Sequence, residues 1–294
     1  MKAVRYIAVD WGTTNRRAYA VDDSGAVVDR LADGRGVLSI DRAGFRAAAD
    51  EIRFALGEGP ILLAGMIGSN RGWIEAPYVD CPADMDTLLG GLKIISGYDA
   101  AIVPGIRVAD PEHADVMRGE EVQILGAAAS GLIPPDGIAC HPGTHSKWVL
   151  LSGGAIIGFR SVMTGELFAL LKKHSILSEQ LRAPVSPGPS FLAGVRRSLS
   201  HCELTADLFS VRARGLLGAL APADAAAFTS GLLVGADLKV GLGLIDQGQP
   251  VALIGDPYLT SLYAAALGEA GRTSSETNGE QAFLAGARLL VENM

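Results

Sequence analysis

The stretch Ile7–Asn15, IAVDWGTTN, decides how the start of this chain folds. An apolar run ends at an aspartate, and a glycine, two threonines and an asparagine follow closely. The run predicts a buried strand, and the polar residues predict a tight turn. Two further strands, at 17–21 and 26–31, complete a predicted antiparallel meander. Beyond this meander the predicted strands and helices alternate, which is typical of an α/β protein.

The remaining elements follow from apolar periodicity and from Gly and Pro turns. The predicted helices are 45–56, 119–129, 165–177, 204–220, one within 223–244, 258–271 and 280–292. The predicted strands are 3–9, 60–64, 98–103, 137–140, 148–151, 155–159 and 250–254. The later strands repeat the opening in outline: strand, Gly-Thr turn, strand, glycine turn, strand. A duplicated domain is one interpretation, although hairpins with glycine turns are common.

The composition limits the classes of function. A chain of 294 residues, 49% of them hydrophobic, can bury a sizeable core in one large or two medium domains. The net charge of −7 and the lack of a Lys/Arg-rich run argue against nucleic acid as the main partner. A small phosphate-bearing ligand stays compatible, because backbone amides bind it locally.

Targeting and redox features are few. Cys81, Cys140 and Cys202 are odd in number and widely spaced, so they predict neither a disulfide framework nor a metal site. We see no signal peptide and no clean apolar segment of the roughly 18–20 residues that a spanning helix needs. We therefore expect a soluble, cytoplasmic protein without a membrane partner.

The first turn has the residues of an anion-binding site. Gly12 lets the backbone approach an oxyanion closely, and Thr13, Thr14 and Asn15 offer polar donors beside it. Asp10 could hold Mg²⁺ through water. The stretch is neither a P-loop nor a Rossmann fingerprint. A hairpin turn in which these residues only satisfy backbone geometry is the alternative.

A second turn of the same kind lies in the middle of the chain. Gly143 and Thr144 offer amide and hydroxyl donors, and His145 and Lys147 stand beside them, the lysine as a cation. His141 and His145 raise the question of zinc. The sequence offers no third ligand nearby, so a phosphate-binding turn is the better interpretation.

Two further motifs carry weaker signals. Glu120 and Glu121 begin a predicted helix, where acidic residues favour the helix dipole. One of them could instead be a general base that takes a proton from an attacking hydroxyl. Gly255 and Asp256 form a strand-to-helix turn that could lie against an adenine ring, although α/β proteins contain many such turns.

A loop at 65–77, GMIGSNRGWIEAP, follows a predicted strand and is a candidate ligand loop. A hydroxyl-rich acidic ligand calls for donors, a cation and a ring face. The loop offers these in Ser69, Asn70, Arg71, Trp73 and Glu75.

The order of these motifs resembles the phosphate-1, catalytic, phosphate-2 and adenosine elements of the actin/hexokinase/Hsp70 superfamily. More closely, the chain resembles the 2-dehydro-3-deoxygalactonokinase family. The likeness covers residues 7 to 267. The matching stretches are IAVDWGTTN, AGMIGSNRGWIEAPY, MRGEEVQILGA, HPGTHSKWV, MTGELFALL, LFSVRARGLLG, SGLLVGADL and LIGDPYLTSLYAAAL.

The resemblance implies two RNase H-like domains of the actin/hexokinase ATPase type with an interdomain cleft. Domain 1–112 would carry the sugar-binding loop and the first phosphate turn. Domain 113–294 would carry the second phosphate turn and the adenosine site. The implied activity is transfer of the ATP γ-phosphoryl group to the 6-hydroxyl of 2-dehydro-3-deoxy-D-galactonate, with Mg²⁺ as cofactor.

The resemblance also assigns roles to residues. It puts Glu120 where glycerol-kinase-like relatives have an aspartate base, and this departure leaves Glu120, Glu121 and Asp10 all open as the catalytic carboxylate. The sugar-acid carboxylate needs a cation, for which Arg71 is the first choice and Arg118 the second.

Alternatives from other classes stay open. The chain could phosphorylate a different keto sugar acid, or act as a phosphatase in which water replaces the sugar hydroxyl. It could also be a non-catalytic, ATP-binding regulator. A homodimer is allowed by the sequence but not required.

Overall fold

The computed structural model describes residues 3–246 and 248–294. Contacts within it divide the chain into two compact units. The first unit runs to Pro135 and includes Ser152–Gly158 and Gly279–Met294, and the second comprises Asp136–Leu151 and Phe159–Asn278.

The strands of the first unit form two sheets. They are β1 (Tyr6–Trp11), β2 (Arg16–Val21), β3 (Val27–Asp33), β4 (Ile61–Ala64), β5 (Tyr78–Asp80), β6 (Lys93–Ile94), β7 (Ala100–Ile102), β8 (Gly105–Val108) and β9 (Asp115–Met117). The main sheet has the order β3-β2-β1-β4-β7-β6, and the smaller one is β5-β8-β9. Strand β1 pairs antiparallel with β2 and parallel with β4. The turn after β1 and the loop after β4 therefore lie at the same sheet edge.

Four helices accompany these sheets: α1 (Phe45–Leu56), α2 (Met85–Gly90), α3 (Glu120–Ala129) and α9 (Gly279–Glu292). Helix α1 buries one face in the core, as its periodicity predicts. That face is Phe45, Ala48, Ala49, Ile52 and Leu56.

Helices α3 and α9 touch through glycines. A Cβ built on Gly126 would lie 2.3 Å from the amide nitrogen of Gly286, and one on Gly286 would lie 2.2 Å from the carbonyl of Val122. Only glycine permits so close an approach of two backbones. This contact fixes α3, whose first residue is Glu120.

The same contact explains how the chain divides. Helix α3 packs on α9, so both group with the first unit. The predicted boundary near residue 112 lies before α3, and the contact grouping extends the first unit beyond it. As a boundary between separately folding domains, residue 112 stays a prediction.

A further sheet, which apart from Ser152–Gly158 belongs to the second unit, is built from β10 (Gly137–His141), β11 (Ser146–Ser152), β12 (Ala155–Val162), β13 (Val251–Gly255) and β14 (Ser274–Asn278). Its order, β12-β11-β10-β13-β14, repeats β3-β2-β1-β4-β7 of the first unit. The pairings repeat too, because β10 is antiparallel to β11 and parallel to β13. The echo in the sequence thus corresponds to a repeated topology.

The helices of the second unit are α4 (Thr164–His174), α5 (Pro189–Ser200), α6 (Leu204–Leu216), α7 (Pro222–Leu242) and α8 (Pro257–Glu269). Helix α7 is long and apolar enough to span a membrane by length and composition, which the search for clean apolar segments did not anticipate. Of its most apolar window, 78% is buried inside the protein. An apolar helix buried on all sides is typical of a protein core.

Several elements were missed by sequence reasoning. The short strands β5, β6, β8 and β9 span only two to four residues each, too few to show a period. Strand β14 has the polar sequence SSETN and is held by parallel pairing with β13. Helix α5 follows a Pro/Gly-rich stretch that is typical of a loop.

Candidate active site

Three segments of the first unit meet around Asp10, at the carboxyl end of β1. A Cβ on Gly65 would lie 2.9 Å from the carbonyl of Trp11 and 3.4 Å from Asp10 Oδ1. A Cβ on Gly119 would lie 3.1 Å from Cα of Gly65. Both glycines have positive φ, 89° and 110°. The start of α3, with Glu120, is thereby brought to the edge where β1 and β4 end.

The Asp10 carboxylate is short of compensating charge. Burial raises its pKa to about 6, Arg17 opposes this shift, and the nearby Glu120 adds to it. The guanidinium of Arg17 is 3.9 Å from Asp10 Oδ2, and the carboxylate keeps 23% of its surface exposed. Glu120 is partly exposed and accepts a hydrogen bond from the amide of Arg118 at 3.3 Å. Two carboxylates therefore share one accessible edge.

Glu121 has a different environment from its neighbour. It is completely buried. Its Oε2 accepts a hydrogen bond from the amide of Gly119 at 2.6 Å, and its Oε1 has no partner among the described residues. Burial raises its pKa to about 8, and the adjacent Glu120 adds to the shift. A carboxyl group that is protonated at neutral pH is a poor proton acceptor, so Glu121 does not suit the role of a base.

The first predicted phosphate turn lies at the protein surface. Thr13, Thr14 and Asn15 are exposed. The amides of Thr13 and Thr14 donate to no acceptor within residues 3–246 and 248–294. The carbonyls of Gly12, Thr13 and Thr14 instead accept amides from the segment at 36–38, at 3.0–3.2 Å. The turn has the donor set of an anion-binding nest.

The loop after β4 holds its predicted ligand residues in different ways. Asn70, Arg71 and Glu75 are exposed, and the guanidinium of Arg71 has no partner in the described part of the chain. Ser69 is buried and its hydroxyl donates to the carbonyl of Met66 at 2.7 Å. Trp73 packs edge-on against a tyrosine, with ring centroids 5.1 Å apart.

Arg118 supports this loop from behind. Its side chain is buried, lies 4.3 Å over the ring of Tyr78 and donates to the carbonyl of Ala76 at 2.8 Å. Its Nε and Nη1 are closed to solvent and have no hydrogen-bond partner among the described residues. In this conformation a ligand does not reach them, whereas Arg71 is accessible.

The second predicted phosphate turn lies between β10 and β11. Gly143 and Thr144 donate their amides to no acceptor in the chain as described, and the carbonyl of Thr144 accepts the amide of Glu166 at 2.9 Å. His145 Nε2 lies 2.5 Å from Glu166 Oε2. Lys147 is on β11, buried and paired in register with His141, so it is set back from the exposed turn.

A buried aspartate holds the elements on both sides of that turn. Asp237 of α7 accepts hydrogen bonds from Ser146 Oγ at 2.7 Å, Trp148 Nε1 at 2.6 Å and Thr164 Oγ1 at 2.5 Å, and from the hydroxyl of Tyr263. Burial raises its pKa, and these donors oppose the shift. Sequence reasoning noted this residue only as a charge in an apolar segment.

An apolar cavity of about 140 Å³ opens next to the second turn. Gly143 and Gly165 form one side, and Phe168, Leu233 and Tyr258 contribute apolar surface. No sequence signal identified these three side chains. They come from three helices, and each reads as an ordinary core or surface residue.

The predicted adenosine residues lie at the same sheet edge. Strands β10 and β13 are parallel, and a Cβ on Gly255 would lie 3.7 Å from the carbonyl of Pro142, directly before the second turn. Asp256 caps α8, accepting the amides of Tyr258 and Leu259 at 2.9 and 3.3 Å. The second unit therefore combines an amide-rich turn with an apolar cavity.

The carboxylates of the first unit suit a hard cation held partly by other ligands. In the described residues no group of three or more His, Cys, Asp or Glu could enclose a metal. Asp10 and Glu120 nevertheless offer oxygen donors, and burial, opposed by Arg17 and reinforced by Glu120, raises the pKa of Asp10 to about 6. Mg²⁺ commonly binds through one or two carboxylates plus water and phosphate.

The fold has a known counterpart among sugar kinases. Xylulose kinase from Lactobacillus acidophilus superposes with a TM-score of 0.54 at 12% identity, over 98% of this chain and 89% of that one. This likeness concerns the fold alone. The chain has the α/β fold of the actin/hexokinase-type ATPases, as the sequence predicted.

The chain belongs to the 2-keto-3-deoxy-galactonokinase family, whose model matches residues 10–290. The 2-dehydro-3-deoxygalactonokinase of Escherichia coli (strain K12) is 35% identical over 289 residues, which are 98% of this chain and 97% of that protein. The crystal structure of a candidate 2-dehydro-3-deoxygalactonokinase from Sinorhizobium meliloti superposes with a TM-score of 0.92 at 36% identity, covering 98% of both chains. The predicted family membership is confirmed.

The protonation of Glu121 predicts a pH-dependent stability. With a pKa of 4.5 unfolded and about 8 folded, Glu121 stays protonated in the fold while the unfolded chain loses its proton. Its contribution to the free energy of unfolding is therefore most favourable below pH 4.5. This contribution falls as the pH rises through 8, by at most about 1.4 kcal/mol per pH unit. Glu121→Gln should flatten the decline of the melting temperature between pH 5 and 8.

The exposed Glu58→Gln is the matched control and should leave the wild-type pH profile in place. An unchanged decline in Glu121→Gln would show that Glu121 is ionised in the folded protein.

Proposed function

We propose that this protein is a kinase that transfers the γ-phosphoryl group of ATP to the 6-hydroxyl of 2-dehydro-3-deoxy-D-galactonate. One observation carries the proposal: each unit has a Gly-Thr turn with two adjacent amides, those of Thr13 and Thr14 and those of Gly143 and Thr144, that have no acceptor among the described residues. Such amides bind phosphate oxygens. The names of the family and of the Escherichia coli relative support the choice of substrate.

Both turns are phosphate-binding elements in this proposal. Thr13, Thr14 and Asn15 supply the first set of donors, and Gly12, whose amide donates to the carbonyl of Asn15 at 2.9 Å, lets the backbone approach the phosphate closely. Gly143, Thr144 and His145 supply the second set, with Lys147 as a buried positive charge behind them.

The base of the nucleotide would occupy the cavity next to the second turn, with Gly255 and Asp256 at its edge. A largely apolar pocket with a few polar groups is typical of small-ligand sites. Its volume of about 140 Å³ suits one ring system better than a whole nucleotide. The phosphates would then extend over Gly143 to the exposed amides.

Within the first unit we assign Glu120 as the general base and Asp10 as the residue that holds Mg²⁺. Glu120 is partly exposed and directly follows Gly119, which packs on Gly65 next to Asp10. Glu121, in contrast, is buried, and its raised pKa of about 8 keeps it mostly protonated at neutral pH. The metal, when bound, supplies charge neutralisation at the phosphates. Most of the rate enhancement would come from positioning and from the turn amides, with proton transfer as a smaller part.

The carboxylate of the sugar acid would bind Arg71, whose guanidinium is exposed and unpaired in the described chain. The neighbouring Asn70, Trp73 and Glu75 would contact the hydroxyls. Arg118 would act mainly by supporting the loop, since its free donors are closed off. Ser69 would likewise shape the loop.

We place the enzyme in the cytoplasm, where ATP and sugar acids are available, with small molecules rather than nucleic acid or membrane as its partners. The net charge of −7 supports this assignment. A homodimer remains compatible with it.

A coupled assay of ADP release with a panel of keto-deoxy sugar acids tests the function. We expect turnover with 2-dehydro-3-deoxy-D-galactonate that requires Mg²⁺, little turnover without sugar, and phosphate on the 6-hydroxyl of the product by NMR. Preference for another acid of the panel would reassign the substrate. ATP hydrolysis at the same rate without sugar would indicate a phosphatase, and nucleotide binding without turnover would indicate a regulator.

Glu120→Gln should lower kcat by about 10²- to 10⁴-fold, the usual contribution of a general base, and leave the KM for ATP nearly unchanged. Steady-state kinetics at saturating sugar acid measure this effect. Glu112→Gln, at an exposed position of the same unit, is the control. A kcat within twofold of wild type would remove Glu120 from the mechanism.

Ser230→Leu should weaken ATP binding, because Ser230 lines the cavity and a larger side chain would fill part of it. We expect the KM for ATP to rise about 10-fold while the KM for the sugar acid stays constant. Ser200→Leu, an exposed position on α5, is the control. Equal increases in both KM values would indicate a general loss of structure instead.

A further inference from the structure

The exposed amides of the first turn depend on a segment that sequence reasoning did not notice. The amides of Gly36, Val37 and Leu38 donate to the carbonyls of Thr14, Gly12 and Thr13, respectively. The carbonyls of Gly12, Thr13 and Thr14 thus all accept hydrogen bonds from the segment at 36–38. In a trans peptide the carbonyl oxygen and the N–H of the next residue point in opposite directions. Because these carbonyls point towards the segment at 36–38, the amides of Thr13 and Thr14 point away from it.

Gly36 is in direct contact with the turn that it supports. A Cβ built on it would lie 2.4 Å from the carbonyl carbon of Thr13, its oxygen, and the carbonyl carbon of Thr14. These are backbone atoms and cannot rotate away as a side chain does. The φ of Gly36 is −69°, which any residue can adopt, so the contact alone requires glycine there.

The second unit has the same arrangement. A Cβ on Gly165 would lie 2.4 Å from the carbonyl oxygen of Gly143 and 2.9 Å from Cα of Thr144. The next residue, Glu166, donates its amide to the carbonyl of Thr144 at 2.9 Å. A glycine again touches the turn, and an amide beside it bonds a carbonyl of the turn.

The two glycines occupy equivalent positions in the repeated topology. Strand β3 ends at Asp33 and β12 ends at Val162, so each glycine is the third residue after the third strand of its meander. The contact therefore recurs at the same place in both sheets, which argues against a chance close approach.

We propose that Gly36 and Gly165 are positioning residues that set the two phosphate turns for ATP. The inference rests on the proposed function, in which these turns bind the phosphates. Adding a methyl group would push each turn forward by about 1 Å to reach ordinary van der Waals contact. Displacements of this size in binding and catalytic groups can cost about 10²-fold in rate.

Calorimetric titration of the full-length protein with Mg²⁺·ATP, without sugar acid, tests the proposal. Gly36→Ala and Gly165→Ala should each raise the Kd for Mg²⁺·ATP by about 10- to 100-fold. In the kinase assay the KM for ATP should rise while the KM for the sugar acid stays within twofold.

The chain supplies matched controls. Gly34 and Gly158 have no heavy atom within 4 Å of a built Cβ and no positive φ. Gly34→Ala and Gly158→Ala should bind Mg²⁺·ATP as the wild type does. Wild-type affinity in Gly36→Ala and Gly165→Ala would overturn the proposal. Failure of the wild type to bind Mg²⁺·ATP would overturn the proposed function as well.

Hydrogen exchange on the wild-type protein provides a second test that needs no variant to fold. If the segment at 36–38 sets the turn, Mg²⁺·ATP should slow exchange of the amides of Gly36, Val37 and Leu38 together with those of Thr13 and Thr14. Protection of the threonine amides without any change at 36–38 would overturn the proposal for the first unit.

Discussion

The proposed site depends on one constraint: two tight turns must keep some of their backbone amides available for a ligand. A turn with free carbonyls could rotate and pair its own amides, which would close the anion site. In the first unit three backbone hydrogen bonds prevent this by bonding the carbonyls of Gly12, Thr13 and Thr14. In the second unit Glu166 bonds Thr144, and Asp237 holds Ser146 and Thr164 on either side. The proposed binding of phosphate on one side of each turn thus depends on a fixed backbone on the other.

The three carboxyl groups of Asp10, Glu120 and Glu121 differ in their surroundings. Burial raises the pKa of Glu121 to about 8, so this group is mostly neutral near pH 7, whereas Asp10, with a pKa of about 6, is mostly ionised; the region therefore does not carry the full repulsion of three carboxylates. Arg118 adds a buried positive charge and supports the loop through Ala76. Glu120, in contrast, is partly exposed. Adjacent glutamates in one sequence motif thus differ in solvent exposure, and burial raises the pKa of the second, Glu121.

Sequence reasoning found the parts whose signals are local. Apolar runs and Gly-Thr turns predicted the two meanders and the residues at their tips, and the motif order predicted the family. It missed the residues that act through distant contacts. Gly36 and Gly165 look like ordinary turn or helix-start glycines, and Asp237 bonds Ser146 across 91 positions of sequence. The relative burial of Glu120 and Glu121 also depends on packing that no adjacent-residue pattern encodes.

The glycine contact between α3 and α9 bears on how the protein is made. The first unit consists of residues on both sides of a long insertion, and α9 enters the ribosomal exit tunnel only after the whole second unit has been translated. Helix α3, which begins with Glu120, lacks its packing partner until then. The edge that carries Asp10 and Glu120 therefore reaches its final form only after release of α9.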